Sequence, residues 1–381
     1  MKRQKNVVDL VKAAFLVLTV KVIAPTSFLI PWNSLIDNLC IVFSLGVMLV
    51  KLTRLTIALS KAIGFAGISM LVLYTCVSIK QYDLMITLVA VCLLIDEDLD
   101  EYIALMLKTE VILLCANVAL AVFLSLTGKS GLFWHFTGSR LRFNGGFTHP
   151  NVLASYISSC MLMFAWKHFH RISSNDWFWM ATVMVLCYIM TRSRTGLLLH
   201  IAILLLVYFA QQETPLMTKL IDPVLVLMFP ALSMFIYWVQ GQFLSGNRAA
   251  LLIDEIMTGR IKYAAYAFTR SGTSWLPRYL DYVEAGTVSW TQEWNLNTFT
   301  FDNLYSFLFV QMGMIWIVVF SAVMFLVRRK ANFKIKVFLL MWIIFSMVEV
   351  HGLNCFKFFP LLLLSTLLSK KEPTDESIAN A

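Results

Sequence analysis

The chain has 381 residues, 59% of them hydrophobic and 14% charged, with a formal net charge of +9. Soluble domains carry about 45–50% apolar and about 25% charged residues, so an ordinary soluble fold is excluded. An outer-membrane barrel is excluded as well, because ~10-residue alternating segments are absent. The excess of base follows membrane orientation, and a nucleic-acid partner gains nothing from it.

In chain order, runs of ~20 apolar residues recur, the length that crosses ~30 Å of hydrocarbon at about 1.5 Å per residue. They predict an all-α integral membrane protein with about twelve transmembrane helices. The spans are read at 10–30, 35–51, 61–79, 83–95, 102–126, 149–166, 177–190, 196–210, 219–238, 303–327, 335–349 and 353–369. Residues 1–381 form a single polytopic domain in this reading. The start, MKRQKNVVDLVK, is basic but has no small-residue cleavage site, which predicts an uncleaved first span.

Loop Lys and Arg set the orientation. With the N-terminus inside, Lys2, Arg3, Lys5, Lys12, Lys51, Arg54, Lys61, Lys167, Arg171, Lys219, the RRKANFKIK stretch at 328–336, Lys370 and Lys371 all fall on the cytoplasmic side. Both termini are then cytoplasmic. Arg140, Arg142, Arg192 and Arg194 fall outside, against the rule, and they cluster. Two substantial external loops follow from this topology, 127–148 and the large 239–302, while the polar tail 370–381 reads as disordered. The seven Cys all lie within spans and form no CxxC pair, so they read as small apolar core residues.

Residues 142–156 read RFNGGFTHPNVLASY. His149-Pro150-Asn151 open a span, and Pro suits a first helical turn. Gly145-Gly146 permit positive φ or a close approach of backbone to a ligand. A helix N-terminus with Arg142 and His149 beside it is a site for phosphate; the alternative is a loop whose arginine faces lipid headgroups. The next stretch, TRSRTGLLLH at 191–200, puts Arg192 and Arg194 in a very short external turn. Arginine near membrane depth is costly and is usually kept for a partner or substrate, and its planar fork suits phosphate oxygens. Headgroup snorkelling is the alternative for one of the pair.

The third stretch, LLIDEIMTGRIKYAAYAFTR at 251–270, is amphipathic and predicts a helix along the membrane surface carrying Arg260 and Tyr263. The loop beyond it holds Trp290 and Trp294 among Glu284 and Glu293. Such aromatics anchor at the interface, or pack on sugar C–H faces beside polar groups that bond hydroxyls. The fourth stretch, TFDNLYSFLFVQMGMIW at 300–316, brings Asp302, Asn303 and Tyr305 to the outer end of a span. Asp302 is either a helix N-cap or a general base.

Together the marks R-F-x-G-G-F-x-H-P-N-x-L-A at 142–154, S-R-T-G at 193–196, T-G-R at 258–260 and D-N-x-Y at 302–305 with Gly313 resemble the O-antigen polymerase and O-antigen ligase superfamily of bacterial membrane glycosyltransferases. The resemblance covers roughly residues 100–350. It implies a C-type (GT-C-like) glycosyltransferase architecture with part of its active site in the large external loop 239–302. The donor would be an undecaprenyl-diphosphate-linked oligosaccharide or polysaccharide, transferred at the outer face of the bacterial plasma membrane with no metal and no cofactor. The diphosphate would be held by Arg194 and Arg260, joined by Arg142, His149 and Arg192. The glycan would meet Asn151, Tyr263, Trp290, Trp294, Asn303 and Tyr305. The base would be Asp302, Glu293 or Glu284. Ligases of the family bear a His where this chain has Asp302, which leans the expectation towards a polymerase. The alternatives are a ligase moving finished glycan to another acceptor and a flippase for the same lipid-linked unit. Membrane lipids, a flippase and a chain-length regulator are the partners expected.

Overall fold

The structure is a computed structural model and describes residues 2–56, 58–129, 133–137, 140–212, 214–257, 259–280, 301 and 303–369. Its helices in chain order are α1 (Lys2–Ile23), α2 (Ser34–Leu52), α3 (Leu59–Ile79), α4 (Asp83–Leu93), α5 (Leu99–Leu124), α6 (Pro150–Lys167), α7 (Ser174–Thr191), α8 (Arg194–Gln211) and α9 (Pro215–Leu244). Then follow α10 (Arg248–Ile256), α11 (Arg260–Ser271), α12 (Ile315–Lys330) and α13 (Phe333–Phe345). One antiparallel hairpin, β1 (Trp134–Thr137) with β2 (Arg140–Phe143), precedes α6, with Trp134 opposite Phe143 and His135 opposite Arg142.

Of the described residues, 78% are helical. Among the described residues, four helices are long and apolar enough to cross a membrane: α2, α3, α5 with the turn that follows it to Gly128, and α9. This is a helical protein built for a bilayer.

Three expected spans take other forms. The first stops at Ile23, where Pro25 turns the chain into a short 3-10 helix, Ala24–Thr26. A proline lacks the amide that would continue the ladder. The run at 303–327 is interrupted. A helical turn Leu304–Phe307 and a π turn Leu308–Met312 end at Gly313, with φ +96°. A Cβ there would lie 2.7 Å from the Leu276 carbonyl carbon and 2.8 Å from the Trp275 oxygen, so only glycine lets residues 274–278 lie against the break. The freed polar groups are taken up there: Ser274 N donates to Phe309 O at 2.9 Å, and Arg278 N to Gln311 O at 2.9 Å. The run at 353–369 forms a 3-10 helix of nine residues, Phe359–Leu367, with Leu361, Leu362 and Leu363 buried.

By contact, the chain divides into two compact units. One comprises Met1–Ile57, Ile86–Met217 and Asn354–Ala381, the other Ala58–Met85 and Thr218–Leu353. In the first, Phe143 and Phe147 from the hairpin and its exit pack with Leu114, Ala121, Leu153 and Tyr156 of α5 and α6. That cluster fixes the hairpin over the start of α6. In the second, Phe229 of α9 stacks on Trp342 of α13 at 5.5 Å and an interplanar angle of 7°. The stretch 251–270, expected as one surface helix, is two. Gly259, at φ +84°, separates them, and α11 turns Ile261, Ala264, Ala265 and Tyr266 into the core.

Candidate functional site: a cationic turn between parallel helices

In the first unit, α6 and α8 run parallel. A Cβ on Gly196, in the first turn of α8, would lie 3.0 Å from the Cβ of Ala154 in α6. Four residues further along both helices, Ser158 Oγ lies 3.0 Å from His200 Nε2. The register 154 to 196 and 158 to 200 puts both N-termini at one end. α7 ends there too, at Thr191, two residues before α8 begins.

Arg142 of β2 ties this end together. Its Nε donates to the Thr191 carbonyl at 2.8 Å, and its Nη2 donates to Asn151 Oδ1 at 2.6 Å. One planar fork therefore joins the hairpin, the last residue of α7 and the first turn of α6. Its geometry is occupied by the chain itself.

Gly145 and Gly146 also serve the chain. Both have positive φ, +62° and +85°. The space a Cβ would need is filled at Gly145 by Leu153 and Val118, and at Gly146 by Leu29 and Asn117. Of the two uses open to these glycines in the sequence, the turn is the one realised. The buried loop is satisfied from α5, where Asn117 Nδ2 donates to Gly145 O at 2.9 Å while its Oδ1 accepts from Ser27 Oγ at 2.6 Å. Asn144 Oδ1 accepts from Gly146 N at 3.0 Å. Asn117 was not singled out from the sequence; the signal was a lone asparagine in the middle of an apolar run.

His149 is the N-cap of α6, its Nδ1 accepting from Asn151 N at 3.1 Å. An amide donates only into a bare ring nitrogen, so His149 presents Nε2–H as its donor. Proline at the first helical position and this cap leave α6 with few free amides.

The start of α8 differs. Arg192 closes α7 in a left-handed conformation, φ +50°, with its amide donating to Tyr188 O at 2.8 Å. Ser193 caps α8 by accepting from Gly196 N at 3.2 Å, and its own amide donates to Thr191 Oγ1 at 3.2 Å. Arg194 is the first helical residue. The side chains of Arg192 and Arg194 are exposed, and among the described residues neither has a carboxylate partner. The positive end of the α8 dipole and two uncompensated guanidiniums meet in one turn, an arrangement that receives anions.

Arg260 is placed differently, in the second unit. It is buried and pairs with Glu349 Oε1 at 3.3 Å. The start of its helix is taken by Asp254, whose Oδ1 accepts from Lys262 N at 2.8 Å. Burial pushes the Asp254 carboxyl above its ordinary value, opposed by the amides of Lys262 and Ile261. Tyr263 is half-buried on α11. Asn303 is buried and caps the turn Leu304–Phe307, accepting from Ser306 N at 2.7 Å. Tyr305 is fully buried, its hydroxyl donating to Ile343 O at 2.8 Å and its ring 5.3 Å from Phe229. Neither Asn303 nor Tyr305 reaches a surface. Glu284, Trp290, Glu293, Trp294 and Asp302 lie outside the described residues.

The structure thus brings Arg142, Asn151, His149, Arg192 and Arg194 to one end of one unit. Fold and site define a helical protein with membrane-length helices and an anion-receptive cationic turn. No family model, no curated protein and no solved structure matches the chain.

Proposed function

We propose that the chain is a bacterial plasma-membrane polysaccharide polymerase acting at the outer face. It moves a growing glycan from undecaprenyl diphosphate onto the non-reducing end of a lipid-linked repeat unit. The observation that carries this reading is the pair of exposed arginines at the start of α8, Arg192 and Arg194, which among the described residues have no carboxylate partner. The order of motifs around them supports it. In the same reading the chain crosses the membrane about twelve times, has a C-type glycosyltransferase architecture and keeps both termini in the cytoplasm.

The chemistry asks for such a turn. The acceptor hydroxyl attacks the anomeric carbon, a new C–O bond forms, and the bond from that carbon to the diphosphate breaks. Undecaprenyl diphosphate leaves with the electron pair, and the hydroxyl proton passes to a base, for which Asp302, Glu293 and Glu284 are the candidates. Negative charge grows on the leaving diphosphate, and cations fixed beforehand at that position lower the barrier. Arg192 and Arg194 supply them. Arg142 contributes by holding the turn.

The test is a gel profile of lipid-linked and surface glycan from cells lacking the protein, complemented with wild type or with Arg194→Ala at matched membrane levels. Single repeat units outside without polymer, restored by wild type alone, are expected. Full-length polymer left on its lipid would instead assign a ligase. Repeat units trapped on the cytoplasmic side would assign a flippase.

A further inference from the structure

Three helix ends meet at one end of the second unit. α12 closes on Arg328, Arg329 and Lys330, and a two-residue link leads into α13 with Lys334 and Lys336. Lys219 and Asp222 lie near the start of α9. Asp222 ties the three together: Lys336 Nζ lies 2.8 Å from its Oδ1, and Arg328 Nε lies 3.9 Å from its Oδ2. The segments 218–222 and 324–340 hold Lys219, Arg328, Arg329, Lys330, Lys334 and Lys336 against one acid, and that acid is already shared by two of them. Arg329, Lys330 and Lys219 are exposed, and among the described residues none of them has a carboxylate partner. Arg329 is held in place as well. Its guanidinium lies 4.8 Å from the centre of the Phe325 ring, a contact that uses the face of the fork and leaves its N–H edge free.

Apolar surface runs away from these cations. On α12, Val318, Ala322 and Phe325 are exposed at helical spacing and lead up to Arg329. On α9, Leu227, Val224 and Leu220 are exposed in the same way and end beside Lys219. α9 is long and apolar enough to cross a membrane, so its end is where a bilayer surface would lie. Cations at a span end, above exposed apolar rows, fit a lipid with an anionic head. One phosphate does not use the whole group. Successive residues of an α-helix point about 100° apart, so Arg329 and Lys330 face different ways, and Lys219 comes from another helix. Two phosphates on one small backbone do use it, and basic pockets between span ends are known receptors for such heads. We propose that the junction of α9, α12 and α13 docks a diphosphatidylglycerol. One phosphate sits on Arg329, the other on Lys330 and Lys219, and the acyl chains lie along the exposed rows of α9 and α12. The site does not depend on the polymerase reading.

The full chain would be purified in detergent and titrated, by native mass spectrometry, with diphosphatidylglycerol, phosphatidylglycerol or phosphatidylethanolamine. Diphosphatidylglycerol should be retained at the lowest concentration, phosphatidylglycerol more weakly, and phosphatidylethanolamine not at all. The Arg329→Ala/Lys330→Ala variant should weaken diphosphatidylglycerol about thirtyfold, from about 1 kcal/mol for each cation near a lipid surface at about 1.4 kcal/mol per tenfold. Lys167→Ala/Arg171→Ala removes two exposed cations from the first unit and should bind as wild type does. Asp222→Asn acts in the opposite sense. It releases Lys336 and Arg328 and should tighten binding about fivefold, a gain that a misfolded chain could not produce. Equal retention of the three lipids, equal losses in the two alanine pairs, or no gain in Asp222→Asn would overturn the assignment. Displacement of the lipid by millimolar inorganic phosphate would overturn it too, by reducing the site to a receptor for the free anion.

Discussion

Replacing Arg142 by methionine keeps the length of the side chain and removes its fork. Two bonds from a charged donor are lost, to Thr191 O at 2.8 Å and to Asn151 Oδ1 at 2.6 Å. Hydrogen bonds to charged groups contribute about 1.5–3 kcal/mol each. Thr191 is fully buried, so its carbonyl is left without compensation, whereas Arg142 itself is only half-buried and its bonds belong at the lower end. We expect about 3 kcal/mol, felt locally, because the fork closes one end of α6–α7 rather than the whole unit. That is roughly a hundredfold rise in the population of the opened turn, at about 1.4 kcal/mol per tenfold. Hydrogen exchange of the amides from Arg192 to Leu197 reads it directly. Arg142→Met should speed their exchange about a hundredfold, while Asn151→Leu, which removes one bond, should speed it about tenfold. Asn151→Asp separates positioning from contact. It keeps an acceptor for Arg142, so protection and polymer formation should both survive. If Arg142 touched the substrate diphosphate instead, a new carboxylate there would repel it and polymer would vanish while protection stayed. Unchanged exchange in Arg142→Met would refute the reasoning outright.

Three further outcomes follow from the same geometry. Gly196→Ala puts a methyl 3.0 Å from the Ala154 Cβ. It should cost about 1–3 kcal/mol in thermal unfolding, and Ala154→Gly should restore most of that loss; no rescue would mean that the α6–α8 contact is not what limits the site. Breaking the Arg260–Glu349 pair, whose arginine is buried and whose carboxylate is partly exposed, with Glu349→Leu should cost about 1–3 kcal/mol, and adding Arg260→Met should recover part of it, since a buried guanidinium is costlier to keep once a carboxylate is removed. Strict additivity in that double-mutant cycle would argue against the pair. Asp176 completes the capping box of α7 and is held below its ordinary 3.8 by hydrogen bonds from Ser173. A depressed acid stabilises the folded state above pH 3.8 and loses that contribution as pH falls through the folded value. Exchange in the first turn of α7, corrected for intrinsic rates, should therefore rise below that pH in the wild type and show no such step in Asp176→Asn.

The helical, membrane-suited character of the chain was legible in hydropathy alone, because a 20-residue apolar run needs no partner to declare itself. What hydropathy does not carry is the behaviour of each run once neighbours pack on it. The run at 303–327 reads as continuous, yet it breaks at Gly313, because residues 274–278 dock there backbone to backbone. That contact spans some forty residues of sequence and leaves only a glycine as its trace. The polar end of the same run was half legible. Asp302 reads as either a helix N-cap or a general base and lies outside the described residues; the residue that caps the turn Leu304–Phe307 is Asn303, its neighbour. The resemblance implies that Tyr305, at the outer end of a span, meets the glycan. Its hydroxyl is satisfied by Ile343 O instead, which lets the ring sink among Phe229 and its neighbours.

The arginines carry the same lesson to the site itself. Read along the chain, Arg194 and Arg260 are the first candidates for a diphosphate, with Arg142 and Arg192 joining them. Folding divides them by what the chain spends on each. Arg142 is committed to a carbonyl 49 residues away and Arg260 to a carboxylate 89 residues away, pairings with no local signature. Of these four, Arg192 and Arg194 are exposed and have no such partner among the described residues, and Ser193 between them is occupied in holding the turn. An exposed guanidinium to which its own protein gives no carboxylate keeps its fork of donors open to an anionic partner. The residues to mutate first for substrate binding are therefore this pair. Arg142 and Arg260, the second as strong by motif as Arg194, are the ones whose loss should be felt first in the fold.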